Sequence, residues 1–190
     1  MKMKWKILFI MLVPLIAGCG HTTERNYVKS DAATMSIESV AVMPFENLTK
    51  FPDAGEIVAA LFTTELYRGT HFKILDRNQA RRILREKQIT MPAVVDRRTA
   101  QEIGKALGVD GVFIGSVSEY WYRLEKRRGW REEGEEPAVG INARLVDVAT
   151  GDVVWASSHS RSSYDAFSMD RDHINRVAQI VVANMIDSLE

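Results

Sequence analysis

The chain has 190 residues, with 25 Lys+Arg against 25 Asp+Glu, and is 46% hydrophobic and 26% charged. That length suits one compact domain with a tail and is enough to bury a sizeable core. Five Pro and 12 Gly exclude a low-complexity or collagen-like chain, one Cys excludes a disulfide framework or a Cys-based zinc site, and the balanced charge leaves no electrostatic footprint for nucleic acid.

Residues 1–18 read as a secretory signal. Lys2, Lys4 and Lys6 precede a short apolar run over residues 7–16, too short for a spanning helix of about 20 residues. The small pair Ala17-Gly18 then leads into the lone cysteine, Cys19. Ile16-Ala17-Gly18-Cys19 resembles the bacterial lipobox. That resemblance implies cleavage between Gly18 and Cys19 and a diacylglycerol on the Cys19 sulfur, the only covalent group expected, since no cofactor loop or metal set is visible. A single buried acyl chain binds a membrane only marginally, at about 0.8 kcal/mol per CH₂, whereas the two or three chains of such lipoproteins anchor stably. Gly20 stands where an inner-membrane retention Asp would, which implies the outer membrane, periplasmic face. Cleavage removes three lysines and no acid, leaving a mildly acidic mature chain that lipid rather than charge would hold in place.

Residues 19–36 are the expected lipidated Cys and flexible tether. Positions 20–36 (GHTTERNYVKSDAATMS) are polar and aperiodic, and fully extended they reach about 55–60 Å. The expected folded domain is 37–190. Residues 39–45 (SVAVMPF) are a short buried strand ending at Pro44. Pro52 and Asp53 open a helix with Ile57, Ala60, Leu61, Thr64 and Tyr67 on one stripe, stopped by Gly69. Residues 71–75 (HFKIL) read as a second strand. Asp76 N-caps a helix over 77–88 with Ala80, Ile83 and Leu84 on its face. A further helix over 99–107 carries Ile103, Ala106 and Leu107, with Gly108 closing it. Strands follow over 112–122, 139–148 and 152–159, the last two joined by the Ala149-Thr150-Gly151 turn. A final helix over 170–189 keeps Ile174, Val177, Ala178, Val181, Met185 and Leu189 together. The order β-α-β-α-α-β-β-β-α predicts an α/β (α+β) domain, a mixed sheet of about five strands with helices packed against it.

Three stretches carry a family resemblance: residues 40–48 (VAVMPFENL), 107–116 (LGVDGVFIGS) and 143–152 (ARLVDVATGD). In this order, behind a lipobox, they resemble the CsgG/LpoB-type periplasmic lipoprotein domain, related to the TolB amino-terminal domain, over roughly residues 36–190. The resemblance implies a non-enzymatic domain that binds other proteins of the bacterial envelope. Members include a curli secretion channel and an activator of penicillin-binding proteins.

In the channel, membrane hairpins are inserted before and after the strand pair that carries the Val-Asp-Val-Ala-Thr-Gly turn. Here the first insertion point is residues 123–136 (RLEKRRGWREEGEE), with five basic and five acidic residues and no apolar face. A membrane strand needs about 9–11 residues with an apolar outer face, and Arg or Lys near the bilayer middle costs about 2–4 kcal/mol. At the second point Ser162 runs almost directly into Asp165 and the last helix. The expectation is therefore a relative that is not a pore subunit. Folded as a hairpin, the basic half of 123–136 faces the acidic half, and Trp130, with Arg127 and Arg128, stands at the tip as a candidate partner contact.

Other constellations point nowhere. Ser157, His159 and Arg161 share a strand face, but neighbours 6–7 Å apart do not make a nucleophile–base contact of about 3 Å with Asp165 as third member. His21, His71, His159 and His173 lack metal-ligand spacing, and a meeting of His71 with His159 across the sheet would give one pair, which is not a site. Gly104, Gly108, Gly111 and Gly115 fit no phosphate loop. Tyr120, Trp121 and Tyr122 resemble a base-stacking platform, but alternation puts Tyr120 and Tyr122 on one face and Trp121 on the other, with no basic groove beside them. Asp147 and Asp152 are turn chemistry.

The expected function is a lipid-anchored, non-enzymatic accessory or partner-binding factor in envelope assembly or secretion, with envelope proteins as partners and no nucleic acid. Homo-oligomerisation as a ring-forming secretion subunit is the alternative. Activation of a cell-wall synthase and an envelope enzyme stand behind it.

Overall fold

The computed structural model describes residues 22–30, 34, 36–90, 92, 94–126, 133–162 and 173–189. In chain order the elements are β1 (Thr22–Val28), β2 (Ser39–Val42), β3 (Glu46–Asn47), α1 (Ala54–Gly69), β4 (Lys73–Ile74), α2 (Arg77–Glu86), α3 (Arg97–Leu107), β5 (Gly111–Lys126), β6 (Glu133–Asp147), β7 (Val153–Ser162) and α4 (Ile174–Asp187). The strands form one mixed sheet in the order β1-β7-β6-β5-β2-β4, with β3 also paired to β5. β2 is parallel to β4 and β5, and the β5-β6-β7 meander expected from the sequence is antiparallel.

Alternating residues of β5 divide the core between the sheet's two faces, because successive side chains of a strand point to opposite sides. Phe113 packs with Phe62, Leu66, Trp155, Val181 and Met185 under α1 and α4. Val112 and Ile114 pack with Leu84, Ile103 and Val146 under α2 and α3. The helix boundaries have local causes. The Asp76 carboxylate accepts from the N–H groups of Asn78 and Gln79, Asp96 accepts from Thr99, and Gly108 closes α3 at φ +74°. Helix α4 buries the stripe read from its sequence, from Ile174 to Met185.

Three expectations are corrected. Helix α1 buries Val58, Ala59, Phe62, Glu65 and Leu66 rather than the stripe through Ile57 and Tyr67. Phe62 decides this rotation: its ring lies 5.3 Å from Phe45 and 5.2 Å from Phe113, contacts unavailable to Tyr67 on the opposite side. Residues 22–28, read as part of the tether, form β1, paired antiparallel with β7 from Thr22↔Arg161 to Val28↔Trp155. With β3, this makes the sheet larger than the five strands read from the sequence. Finally, His71 and His159 do not meet. His71 sits beside Phe72 just before β4, at one edge of the sheet, whereas His159 lies on β7 next to the other.

Candidate functional site

The residues proposed from sequence for lipidation and contact, Gly18, Cys19, Arg127, Arg128 and Trp130, lie outside the described residues. Their surroundings are nevertheless placed. β1 begins three residues after Cys19. β5 and β6 continue as a two-stranded ladder to Lys126↔Glu133, with Arg123 opposite Glu136, the charge-complementary register expected of the hairpin. Among the described residues the last pairing of β6 with β7 is Ala138↔Ser162, so there residues 133–137 project beyond the three-stranded part of the sheet. At 3.2–3.4 Å per residue this projection is about 16–17 Å long.

At the base of the projection lies a groove of about 500 Å³ lined by Leu48, Thr49, Lys50, Phe51, Pro52, Tyr120, Trp121 and Tyr122. It joins two segments some 70 positions apart in sequence. β3 pairs in parallel with β5, and the Leu48 N–H donates to the Val117 carbonyl (3.0 Å). The Asn47 side chain then organises the loop: its amide donates to Phe51 O (2.8 Å), while its carbonyl accepts from the Thr49 N–H (3.0 Å) and hydroxyl (2.8 Å). This delivers the Phe51 ring to within 4.9 Å of Tyr120.

Tyr120 is buried, and its hydroxyl donates to Asn175 Oδ1 at 2.6 Å. Burial pushes its pKa up to about 12, so it stays a neutral donor. The Tyr122 hydroxyl accepts from the Ile174 N–H at 3.3 Å, so both tyrosines meet the start of α4, as the alternation reading expects. Trp121, one position apart, takes the other face. Trp121 and Tyr122 are each 41% exposed and Leu48 58%. Sequence reasoning saw the aromatic run but missed Leu48, Lys50 and Phe51, whose approach depends on the β3–β5 pairing.

Asp165, the third member weighed for the serine–histidine stretch, lies outside the described residues. Ser157 Oγ donates to Asn26 Oδ1 at 2.6 Å, across the β1–β7 pairing. His159 is buried, its Nδ1 lies 3.8 Å from Glu24 Oε2, and neither ring nitrogen has a hydrogen-bond partner among the described residues. Desolvation lowers its pKa, partly offset by Glu24 and reinforced by Arg161. Asp147 does serve its turn, accepting from the Ala149 N–H (2.8 Å) and the Thr150 hydroxyl (2.9 Å), and Asp152 pairs with Lys29 at 2.8 Å. A second hollow, about 690 Å³, lies along α2 beside Arg81, Arg85 and Gln88. Among the described residues there is no group of three or more His, Cys, Asp or Glu able to hold a metal, and no helix long and apolar enough to cross a membrane.

The family model for the curli production assembly/transport component CsgG matches residues 23–169, from the first residues of β1 onward. The chain belongs to the CsgG family. Among solved structures, the PelC dodecamer from Paraburkholderia phytofirmans is similar at a TM-score of 0.61 and 23% identity, covering 89% of this chain and 97% of that one. Lipoprotein GNA1162 from Neisseria meningitidis is similar at 0.55 and 18% identity, covering 80% and 97%. The LpoB C-terminal domain from Salmonella enterica stands at 0.49 and 14%, covering 68% and 90%. No curated protein sequence matches the chain. At these identities the structural likenesses concern the fold, which they share with this CsgG-family chain.

Proposed function

We propose that this protein is an outer-membrane lipoprotein, held on the periplasmic face by acylated Cys19, that acts by binding envelope proteins rather than by catalysis, in envelope assembly or secretion. CsgG-family membership supports the envelope role, and the lipobox ending at Cys19 supports the anchor. The observation that carries the reading is the start of β1 at Thr22, paired to β7. A link of three residues spans at most about 10–11 Å, so the folded body sits directly on its anchor instead of at the end of a long tether. That favours work at the membrane surface over reach across the cell wall, and sets activation of a cell-wall synthase behind the leading reading.

Mass spectrometry of the cellular protein tests the anchor. The expected mature chain starts at Cys19 and carries acyl mass, and Cys19→Ser leaves the protein unprocessed and absent from the outer-membrane fraction. A free thiol on Cys19 in the wild-type protein overturns it. A photoreactive residue at position 130 tests the partner contact assigned to Trp130, Arg127 and Arg128, with a reproducible envelope-protein adduct as the expected result.

A second reading is assembly into a ring of copies. It is favoured by the likeness to a protein whose solved form is a dodecamer. Light scattering of the acylated protein in detergent separates the readings: a closed oligomer of defined mass supports the ring, and a monomer removes it.

A further inference from the structure

We infer that the hollow along α2 is a docking site for an acidic segment of an envelope protein. The inference rests on the partner-binding reading given above and names the chemistry of one partner. From Arg77 to Lys87 the chain carries five cations, Arg77, Arg81, Arg82, Arg85 and Lys87, against the single acid Glu86, in a mature chain that is mildly acidic overall. Glu56 of α1 pairs with Arg77 and lies 3.4 Å from Arg81, but among the described residues Arg82 and Arg85 have no ion pair. The fold does not need this concentration. Arg77, Arg81 and Arg85 recur every four residues, a spacing at which like charges oppose helix formation, and Arg77 stands at the positive end of the helix dipole. Helix α2 packs instead through Ala80 and Leu84, which join Ala41 and Met43 in the core.

Asn78, Arg81 and Arg85, three and four positions apart, line the hollow from one flank of the helix, Gln88 follows beyond the helix end, and Leu84 and Ile89 supply apolar lining. This end of α2 is fixed. The Lys87 ammonium donates to the Ala106 carbonyl of α3, and the Ile89 N–H donates to the Leu84 carbonyl at 2.9 Å. Gln88 sits at φ +56°, a left-handed conformation that glycine normally takes at the end of a helix. The side chain held there against its backbone preference is one that lines the hollow. Each part matches a feature of an acidic peptide. Clustered guanidinium groups bind carboxylates through paired, charge-assisted hydrogen bonds. The Asn78 and Gln88 amides each offer a donor and an acceptor, as a peptide group does, and Leu84 and Ile89 suit an aliphatic side chain beside the acids. A phosphorylated headgroup or an anionic glycan would satisfy the arginines but leave the apolar lining without a counterpart.

The test uses the acylated protein in detergent and a fluorescent peptide alternating glutamate with leucine, beside a counterpart with glutamine in place of glutamate. Anisotropy should show the glutamate peptide bound more tightly by about tenfold or more, with affinity falling as salt rises. Arg85→Gln, which breaks no ion pair among the described residues, should weaken binding, and Arg81→Gln together with Arg85→Gln should weaken it by about tenfold or more. Arg25→Gln together with Arg144→Gln removes the same charge from exposed arginines of the sheet and should leave binding unchanged. In cells, a photoreactive residue at position 82, next to Arg81, should give an adduct whose captured segment is rich in Asp and Glu, and the paired Arg81 and Arg85 substitutions should abolish it. No preference for the glutamate peptide, an equal loss in the Arg25 and Arg144 variant, or an adduct with lipid, glycan or a second copy of this chain overturns the inference. An envelope-protein adduct at position 130 with none at 82 overturns the hollow and leaves the partner-binding reading standing. No adduct at either position overturns both.

Discussion

The two ends of the sheet are built on different plans. At the end of the β6–β7 turn, side-chain hydrogen bonds tie separate elements together. The Asp110 carboxylate accepts from the N–H groups of Glu38 (3.2 Å) and Ser39 (2.9 Å) and from the Ser39 hydroxyl (2.8 Å), tying β2 to the start of β5. Gln101 donates to the Val148 carbonyl at 2.9 Å, clamping α3 to the turn, and Gly151 takes φ +76°, where a side chain would be strained. At the other end, Leu48, Trp121 and Tyr122 are left open to the surface, and His159 is buried without a hydrogen-bond partner among the described residues. The hairpin end has its own ties, Tyr120 to Asn175 and Asn47 to its loop, but unlike the turn end it also leaves three large apolar side chains exposed.

The largest effect is expected where packing is tightest. A Cβ on Gly104 would lie 2.2 Å from Val148 Cγ2 and 2.9 Å from Val112 Cγ2. Ala is the better helix former by roughly 0.5–1 kcal/mol at an unconstrained site. Here the overlap should reverse that sign, because forcing a methyl into a filled core typically costs about 1–3 kcal/mol. Urea unfolding of Gly104→Ala should show a net loss of stability, with helix α3 and the turn forced apart. A neutral or stabilised variant would break the claim that this end is the specified one.

Acid should distinguish the ends at different pH. Desolvation lowers the pKa of His159 below its ordinary value near 6.5, so the unfolded chain binds this proton more readily than the folded one. Stability from this group is complete above about 6.5 and declines as pH falls through the window below it. Glu24 and Arg161 face the ring with opposite signs, which keeps the effect smaller than the Gly104 overlap. At the turn end the depressed groups are carboxylates: Asp110 through the Ser39 hydroxyl and Asp152 through Lys29. Their contribution is present above the ordinary carboxylate value of 3.8 and is lost only as pH falls through their lower folded values. Urea midpoints measured against pH should fall first near neutrality and again below about 4. His159→Phe should remove the first decline and leave the second. A first decline that survives in His159→Phe would assign it elsewhere.

Much of this architecture is legible in the residues. Asp76, Asp96 and Gly108 bound helices because their side chains or conformational freedom meet needs local to the backbone. The alternation of Tyr120, Trp121 and Tyr122 follows from the strand period, and the register of residues 123–126 against 133–136 agrees with their charge pattern. What the sequence hides has physical reasons as well. β1 is exposed along its whole length, so it lacks the apolar alternation by which half-buried strands are recognised. The rotation of α1 escapes inspection because apolar residues lie on both of its sides and only the aromatic cluster around Phe62 chooses between them. The groove is non-local: Leu48 and Phe51 reach Trp121 only through the pairing of the two-residue strand β3 with β5, a contact with no local signature.

The smallest effect on stability is expected at the groove, and there its smallness is informative. Leu48 is 58% exposed at the groove, outside the core clusters on both faces of the sheet. Leu48→Ala therefore removes little buried contact, and a surface substitution of this kind normally changes stability by no more than about 0.5 kcal/mol. A loss of stability near that of Gly104→Ala would instead make Leu48 part of the fold's framework, and the contrast between a specified end and a spared one would dissolve.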